Sequence, residues 1–152
     1  MIDHIRQSNL IESINDRHED QMSLYAWHWL EKKANITPTR LLELHRLITC
    51  RQLGKDAGQF RTVMVRVGTS LPPAPDLARE MAHNWCLDLM THWGDLDPKE
   101  MHIRFEKIHP FIDGNGRTGR MLMWWHEKKL GREPTLIRSN EADRHYYYEW
   151  FR

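Results

Sequence analysis

The residues from position 109 to position 120, H-P-F-I-D-G-N-G-R-T-G-R, combine side chains that could act together on a phosphate group. His109 titrates near neutral pH and could take a proton from an attacking hydroxyl. Asp113 supplies hard oxygen ligands that suit a magnesium ion shared with phosphates. Arg117 and Arg120 lie three residues apart, so both guanidinium groups would share one side of a helical turn, where both could bind phosphates.

Two glycines in this segment favour an anion site built from the backbone itself. Gly114 and Gly116 permit conformations in which successive N–H groups converge on an anion. A helical pattern begins directly afterwards at Thr118, and the free amides and dipole at its start would add to that site. The segment therefore predicts a nucleotide phosphate site with a base beside it.

A dinucleotide-binding fingerprint is the alternative that the glycines raise, because Gly114, Gly116 and Gly119 spell G-x-G-x-x-G. That fingerprint requires a preceding strand inside a parallel sheet. The preceding residues 98–108 instead predict a helix, because their apolar side chains recur on one helical face. A Walker loop is excluded, since G-x-x-x-x-G-K-[ST] occurs nowhere in the chain.

The same segment resembles the H-P-F-x-[DE]-G-N-G-R-x-x-R signature of the Fic family and matches it at every specified position. Members of that family transfer the AMP moiety of ATP to a side-chain hydroxyl of a protein. The resemblance implies that His109 is the general base, that Asp113 holds Mg²⁺ and that Arg120 binds the γ-phosphate. It further implies an ATP-binding set of seven consecutive residues: Gly114, Asn115, Gly116, Arg117, Thr118, Gly119 and Arg120.

A second resemblance lies near the start of the chain, where residues 8–13 read S-N-L-I-E-S. This is similar to the inhibitory [ST]-x-x-x-E-[GN] motif of self-restrained Fic proteins, in which the glutamate pairs with the second arginine of the signature. The resemblance implies an inhibitory helix segment over residues 1–16, with Ser8 and Glu12 as its motif residues and Glu12 facing Arg120. Ser13 departs from the motif, since glycine or asparagine is usual there.

Residues 61–67 interrupt the helical pattern with alternating side chains that end at a glycine, which predicts a short strand or β-hairpin. Residues 57–70 also resemble the Fic flap, a hairpin that covers the active site and holds the target by strand pairing. An exposed strand edge suits that mode of recognition. The candidate flap residues in contact with target or nucleotide are Val65, Arg66, Val67 and Gly68.

Apart from the predicted hairpin, the chain reads as helical, so we expect a mainly α fold. The resemblance implies one Fic-type helical bundle over residues 1–152, with the catalytic loop at 109–120. Tyr146 and Tyr147 are candidates for contact with adenine, because tyrosine rings can stack on a base. Periodicity and cap signals predict helices over 18–34, 39–49, 76–92, 98–108, 118–130 and 142–151.

Composition and charge limit which partners and which cellular location we expect. The chain has 152 residues and a formal net charge of +1, so its charge gives no reason to expect binding to nucleic acid. No apolar run approaches a membrane span, and no signal peptide is recognisable, which predicts a soluble cytoplasmic protein without a membrane partner. Cys50 and Cys86 fit no zinc spacing, so we expect them to be reduced core or near-core residues.

The expected function is therefore that of a protein adenylyltransferase, with ATP as substrate and Mg²⁺ as cofactor. Its expected target is a hydroxyl-bearing protein, which could be the chain itself. Its serine, threonine or tyrosine acceptor and the oligomeric state stay open. Three alternatives also stay open. The same site could remove AMP, could transfer another phosphate-containing group, or could belong to a toxin-like module that a partner silences.

Overall fold

A computed structural model describes all residues from 1 to 152. The chain folds into helices, with one long connection over residues 57–74, and the mainly α prediction is confirmed. A single 3₁₀ turn, Gly54–Asp56, follows the third helix. The seven α-helices are α1 (Ile2–Ile11), α2 (Arg17–Leu30), α3 (Pro38–Leu53), α4 (Pro75–His92), α5 (Pro98–Ile108), α6 (Asn115–Lys129) and α7 (Glu141–Glu149).

Side-chain caps explain where several helices begin. The Thr37 hydroxyl accepts a hydrogen bond from the backbone N–H of Arg40 at 3.2 Å, and Pro38 occupies the first turn of α3, where its missing N–H costs nothing. Asp16 caps α2, and Asp97 caps α5 in the same way. Because an aspartate oxygen satisfies free amides at a helix start, these positions fix the entry of the chain into each helix.

Helix α6 lies at the centre of the fold, packed against α1, α3 and α5. Nearly all of its residues are buried, up to Glu127 in its last turn. Indole rings supply much of the surrounding core, because Trp27, Trp85, Trp124 and Trp125 are all buried. A helix that is buried on all sides is rigidly held, so its N-terminus is a fixed platform for groups placed above it.

The predicted β-hairpin over residues 57–70 is wrong: the structure contains no strand, and only one isolated antiparallel bridge joins Val67 to Ser70. The alternating side chains lie on no sheet, since nearly all of residues 62–70 are exposed on both sides of the chain. Arg61 fixes the segment instead, through its own bonds to neighbouring carbonyl groups. A lone pair of strands without a third strand or a covering helix is only marginally stable.

The remaining expectations on the fold can be compared directly with the structure. Each predicted helix is present: α5 has the predicted bounds, the others are shifted at one or both ends, and α6 begins at Asn115, three residues before the predicted start. Cys86 is buried and Cys50 partly buried, both as free thiols, and burial raises the pKa of Cys86 to about 12. None of the helices combines the length and the apolar character needed to cross a bilayer.

Candidate active site

His109 sits where α5 ends, in a backbone conformation that changes the direction of the chain. Its φ and ψ angles are 49° and 60°, in the left-handed region that few residues other than glycine adopt. Its N–H donates to the carbonyl oxygen of Phe105 at 3.0 Å, and its own carbonyl accepts from Nε of Arg61 at 2.8 Å. Together these bonds hold His109 in its strained conformation. Strained residues at functional sites usually persist because the surrounding structure holds them in this way.

The imidazole of His109 is mostly buried and has a defined orientation. Its Nδ1 donates to the carbonyl oxygen of Glu106 at 3.3 Å, which leaves Nε2 as the basic nitrogen. Burial lowers the pKa of His109 below its ordinary value of 6.5, although the Glu106 carbonyl opposes this effect. The ring is therefore neutral at pH 7 and able to accept a proton.

Asn115 closes the loop that follows His109. Its side-chain Oδ1 accepts from the N–H of Phe111 at 3.0 Å, and its Nδ2 donates to the carbonyl oxygen of Phe111 at the same distance. The Phe111 ring is buried, so this double bond ties the loop to the core at one residue. The contact gives Asn115 a structural role in the loop in addition to its expected place at the phosphates.

His45, from α3, is a part of the site that sequence reasoning missed. Its Nε2 donates to the backbone carbonyl of Asp113 at 2.9 Å, and its Nδ1 accepts from the N–H of Gly58 at 2.9 Å. Its ring stacks on Phe111 with 3.7 Å between the centroids. Burial lowers the pKa of His45 to about 4, so it stays neutral and braces both the loop and residues 57–70. No sequence signal could have found it, since a single histidine on an apolar helix face is usually packing.

Asp113 is exposed at the tip of the loop. Its Oδ1 accepts from the N–H of Gly114 at 2.6 Å, and its Oδ2 makes no hydrogen bond. Gly114 caps α6 with φ at 77°, and a Cβ there would lie 2.5 Å from Cγ2 of Thr49. Only glycine meets both conditions, which explains why the loop can turn so tightly into the helix.

The start of α6 presents a surface suited to an anion. The first amides of a helix have no acceptor within it, so those of Asn115, Gly116 and Arg117 are free to bind a negative group. A carboxylate already lies there: a Cβ added to Gly116 would collide with Oε1 of Glu12. Gly116 thus lets Glu12 approach the helix end closely.

Arg120 binds the same Glu12 carboxylate, and all three of its guanidinium nitrogens make hydrogen bonds. Its Nη2 donates to Oε1 of Glu12 at 2.6 Å and to the carbonyl oxygen of Ser8 at 3.1 Å, while its Nε donates to Oγ of Ser8 at 2.8 Å. Its Nη1 donates to the hydroxyl of Tyr147 at 3.0 Å. The guanidinium is 1% exposed, whereas the Glu12 side chain is 35% exposed. The geometry places Glu12 and Ser8 together on Arg120.

The other residues of the expected ATP-binding set face inward. Arg117 is buried and donates to Oε1 of Gln52 at 2.7 Å, with its Nε and Nη1 unpaired. Thr118 is buried with an unpaired hydroxyl, and Gly119 faces the interior, where a Cβ would meet Oε1 of Glu106. These three residues lie below the helix end rather than on its open surface.

The candidate flap and adenine-contacting residues occupy different environments. Arg66, Val67 and Gly68 are exposed and Val65 is half-buried, in a segment whose start is tied to the catalytic loop by the bond from the Arg61 N–H to the carbonyl oxygen of Pro110, 3.0 Å long. Tyr146 is exposed. Tyr147 is buried, and its ring lies beside Arg120 rather than on an open surface.

Comparison with known proteins fits this geometry. The model of the Fic/DOC family matches residues 35–126, more than half of the chain. The chain belongs to the Fic/DOC family. It is 37% identical over 128 residues to the protein adenylyltransferase Fic of Nematostella vectensis, covering 80% of this chain and 29% of that protein. The protein of the same name from Drosophila grimshawi is 35% identical over 130 residues, covering 78% and 26%.

Solved structures of Fic proteins have the same fold. Fic-1 of C. elegans (residues 134–508) superposes with a TM-score of 0.73 at 26% identity, over 87% of this chain and 42% of that one. A Fic family protein from Desulfovibrio desulfuricans gives a TM-score of 0.75 at 22% identity, over 98% and 56%, a likeness of fold alone. The chain spans less than a third of the curated Fic relatives' length, so it corresponds to their Fic domain.

Proposed function

We propose that this Fic domain transfers AMP from ATP to a hydroxyl group of a target protein. The observation that carries the proposal is the placement of a neutral histidine base, His109, and an exposed carboxylate, Asp113, beside the free amides at the start of α6. A triphosphate needs such amides, and a hydroxyl nucleophile needs such a base.

The reaction then balances with the groups at hand. The target oxygen attacks the α-phosphorus of ATP, the bond from that phosphorus to the bridging oxygen breaks, and pyrophosphate leaves. The proton of the hydroxyl goes to Nε2 of His109. The amides of α6 and the guanidinium of Arg120, once released from Glu12, would bind the leaving phosphates and stabilise the charge that builds on them.

A magnesium ion fits the donors at this site. Asp113 has one carboxylate oxygen free of hydrogen bonds, and no cluster of three metal-binding side chains surrounds it. Magnesium commonly binds through one or two carboxylates together with substrate phosphates, so a metal brought by ATP suits a single aspartate better than a resident ion would. Such an ion would neutralise charge on the phosphates.

We further propose that Glu12 inhibits the transfer. Its carboxylate lies over Gly116 and on Nη2 of Arg120, which are the helix end and the guanidinium that a γ-phosphate would use. Two anions cannot occupy one guanidinium fork and one helix N-terminus together. ATP would therefore bind with its phosphates displaced for as long as α1 keeps this position.

Transfer of label from α-labelled or γ-labelled ATP distinguishes AMP transfer from phosphoryl transfer. With magnesium and a cell extract, the Glu12→Gly variant is expected to mark a protein, or itself, from α-labelled ATP, and to add nothing to the background of the extract with γ-labelled ATP. Labelling from γ-labelled ATP alone would indicate phosphoryl transfer instead. The same assay with EDTA in place of magnesium is expected to give no label, which tests the metal.

AMP removal is a second candidate, favoured by one feature of Glu12. The structure engages its Oε1 with Arg120, while its Oε2 has no hydrogen-bond partner and could orient a water molecule. An isolated, AMP-modified target would lose its label in the presence of wild-type protein under this reading, and a Glu12→Gly variant would fail to remove it.

We propose that residues 57–70 bind the target. Exposed apolar side chains follow one another there, and an extended chain with free backbone groups can pair with a peptide even without a formed hairpin. Alternate positions in this segment would then contact the target around its hydroxyl residue. The exposed apolar residues at and just beyond this segment are Val63, Met64, Val67 and Leu71.

A further inference from the structure

Glu106 lies behind the imidazole of His109 and presents two oxygen groups to it. Its backbone carbonyl oxygen is 3.3 Å from Nδ1 of His109, and its carboxylate Oε2 is 3.9 Å from the same nitrogen. Both residues belong to the last turn of α5 and its cap, so the helix itself fixes their spacing. Two acceptors of one residue therefore lie on the Nδ1 side of the ring.

A carboxyl group is a costly choice for this position. The Glu106 side chain is 14% exposed, and its Oε1 is buried without any hydrogen-bond partner. Burial raises the pKa of Glu106 to about 8, Arg120 from α6 opposes the rise, and Glu12 adds to it. An apolar side chain of similar size would avoid that cost, so the retained carboxyl requires an explanation other than packing.

Gly119 provides the space that this carboxyl fills. A Cβ at position 119 would lie 2.7 Å from Oε1 of Glu106 and 2.7 Å from Nδ1 of His102. A glycine inside a helix is destabilising relative to alanine, and α6 carries one at this point. A buried carboxyl without a hydrogen-bond partner and a glycine inside a helix thus occur at the same place. This carboxyl group lies between His109 and Arg120.

Resting on the transfer reaction proposed above, we propose that Glu106 is a positioning residue for His109. Its two oxygen groups hold the imidazole proton on Nδ1 and leave Nε2 as the base. A neutral imidazole has two tautomers, and the one whose N–H faces acceptors is stabilised over the other.

Nitrogen-15 NMR of the histidine side chains tests the inference without any turnover. Wild-type His109 is expected to be protonated on Nδ1 at pH 8, and Glu106→Leu is expected to shift it toward protonation on Nε2. Glu106→Gln, whose amide oxygen remains an acceptor, is expected to restore the wild-type tautomer. Glu100→Leu, on the exposed side of the same helix, is the matched control and should leave His109 unchanged.

Kinetics supply the second measurement, in a Glu12→Gly background. Glu106→Leu is expected to lower kcat for transfer about tenfold or more, because the base is no longer held in its active tautomer. The KM for ATP is expected to stay within about twofold, since Glu106 packs against Gly119 in the second turn of α6, below the first amides that bind phosphates. Glu106→Met, which is unbranched and flexible, takes the place of leucine if that variant does not fold.

Several outcomes would overturn the inference. They are an Nε2–H tautomer in the wild type, an unchanged tautomer in the apolar variant, or a glutamine variant that behaves like leucine. Failure of the transfer reaction is distinguishable from these. If Glu12→Gly never marks a target, the proposed function falls, while the tautomer of His109 still decides whether Glu106 positions it.

Discussion

The loop that carries His109 and Asp113 is fixed from inside the protein, whereas the Glu12 side chain lies partly exposed, just after the buried last turn of α1. Asn115 and His45 bind the loop through buried contacts to its backbone. Glu12 is one-third exposed and reaches Arg120 by side-chain contacts alone. This difference fits the proposed inhibition, in which the catalytic loop is always formed and the Glu12 carboxylate can be removed from Arg120.

The largest expected effect comes from the loop. His109→Ala, in a Glu12→Gly background, should lower the transfer rate about 10²–10⁴-fold, because the reaction loses its general base. ATP affinity and the melting temperature should change little, since the ring contributes one long hydrogen bond. Exposed His92→Ala serves as the control. A transfer rate equal to that of the parent would remove His109 from the mechanism.

The pH profile sharpens the same point. Because burial lowers the pKa of His109, the base stays neutral until the pH falls below its ordinary value of 6.5. The transfer rate in the Glu12→Gly background should therefore be level from pH 8 to pH 7 and fall only in more acidic solution. A rate that already declines between pH 8 and pH 7 would contradict this assignment.

Asp113→Asn comes next. The asparagine keeps the Oδ1 acceptor for the N–H of Gly114 but removes the charge that suits magnesium. Transfer at a fixed magnesium concentration should fall about 10²-fold, as expected when charge stabilisation at a leaving group is lost. Rate measured against magnesium concentration checks this. An unchanged magnesium dependence would leave Asp113 with only a structural role in the loop, through its bond to the N–H of Gly114.

Asn115→Ala tests whether the loop is held from inside. The variant leaves the N–H and carbonyl of Phe111 buried without partners, so the free energy of unfolding should fall by about 2–3 kcal/mol. Asn140→Ala, which removes an exposed cap from α7, should cost about 1 kcal/mol or less. Urea unfolding measures both. Equal losses in the two variants would mean that the core does not fix the loop.

The smallest expected effect concerns the end of α1. Ser13 has φ at 60°, and a non-glycine residue in that region is strained by about 1 kcal/mol. Ser13→Gly should therefore stabilise the conformation in which Glu12 binds Arg120. If about 1 kcal/mol of relieved strain favours that conformation, basal transfer should fall about threefold to fivefold. Ser13→Ala retains the strain and should match the wild type. A glycine variant with higher basal transfer would contradict the comparison.

Sequence patterns identified candidate site residues that are contiguous and missed most tertiary contacts, the exception being Glu12 on Arg120, which a family motif indicated. His109 to Arg120 could be identified because one loop and one helix start carry them all. His45 and Arg61 could not, since their roles depend on α3 and on residues 57–70 meeting the loop. Tyr147 is a candidate for contact with adenine by residue type alone, because sequence cannot tell a buried ring from a free one.

The helices also show that local signals can be predicted from sequence, whereas burial by neighbouring elements cannot. Caps at Thr37 and Asp97 mark helix starts because they act within one turn. On α4 the apolar residues Leu77 and Met81 are exposed, and the buried face follows Ala78, Ala82 and Trp85. Periodicity shows that a helix is amphipathic, but the neighbouring helices decide which face is covered. Alternation over residues 61–67 failed for the same reason, since no second strand lies beside it.

The central claim is that an intact catalytic loop is blocked by a removable carboxylate, and Glu12→Gly tests it most directly. With α-labelled ATP and magnesium, this variant should label a target or itself far more strongly than the wild type. Arg120→Ala in the same background should cancel much of the gain, because the freed guanidinium is what the phosphates need. Labelling that stays at the wild-type level after removal of Glu12 would contradict the claim.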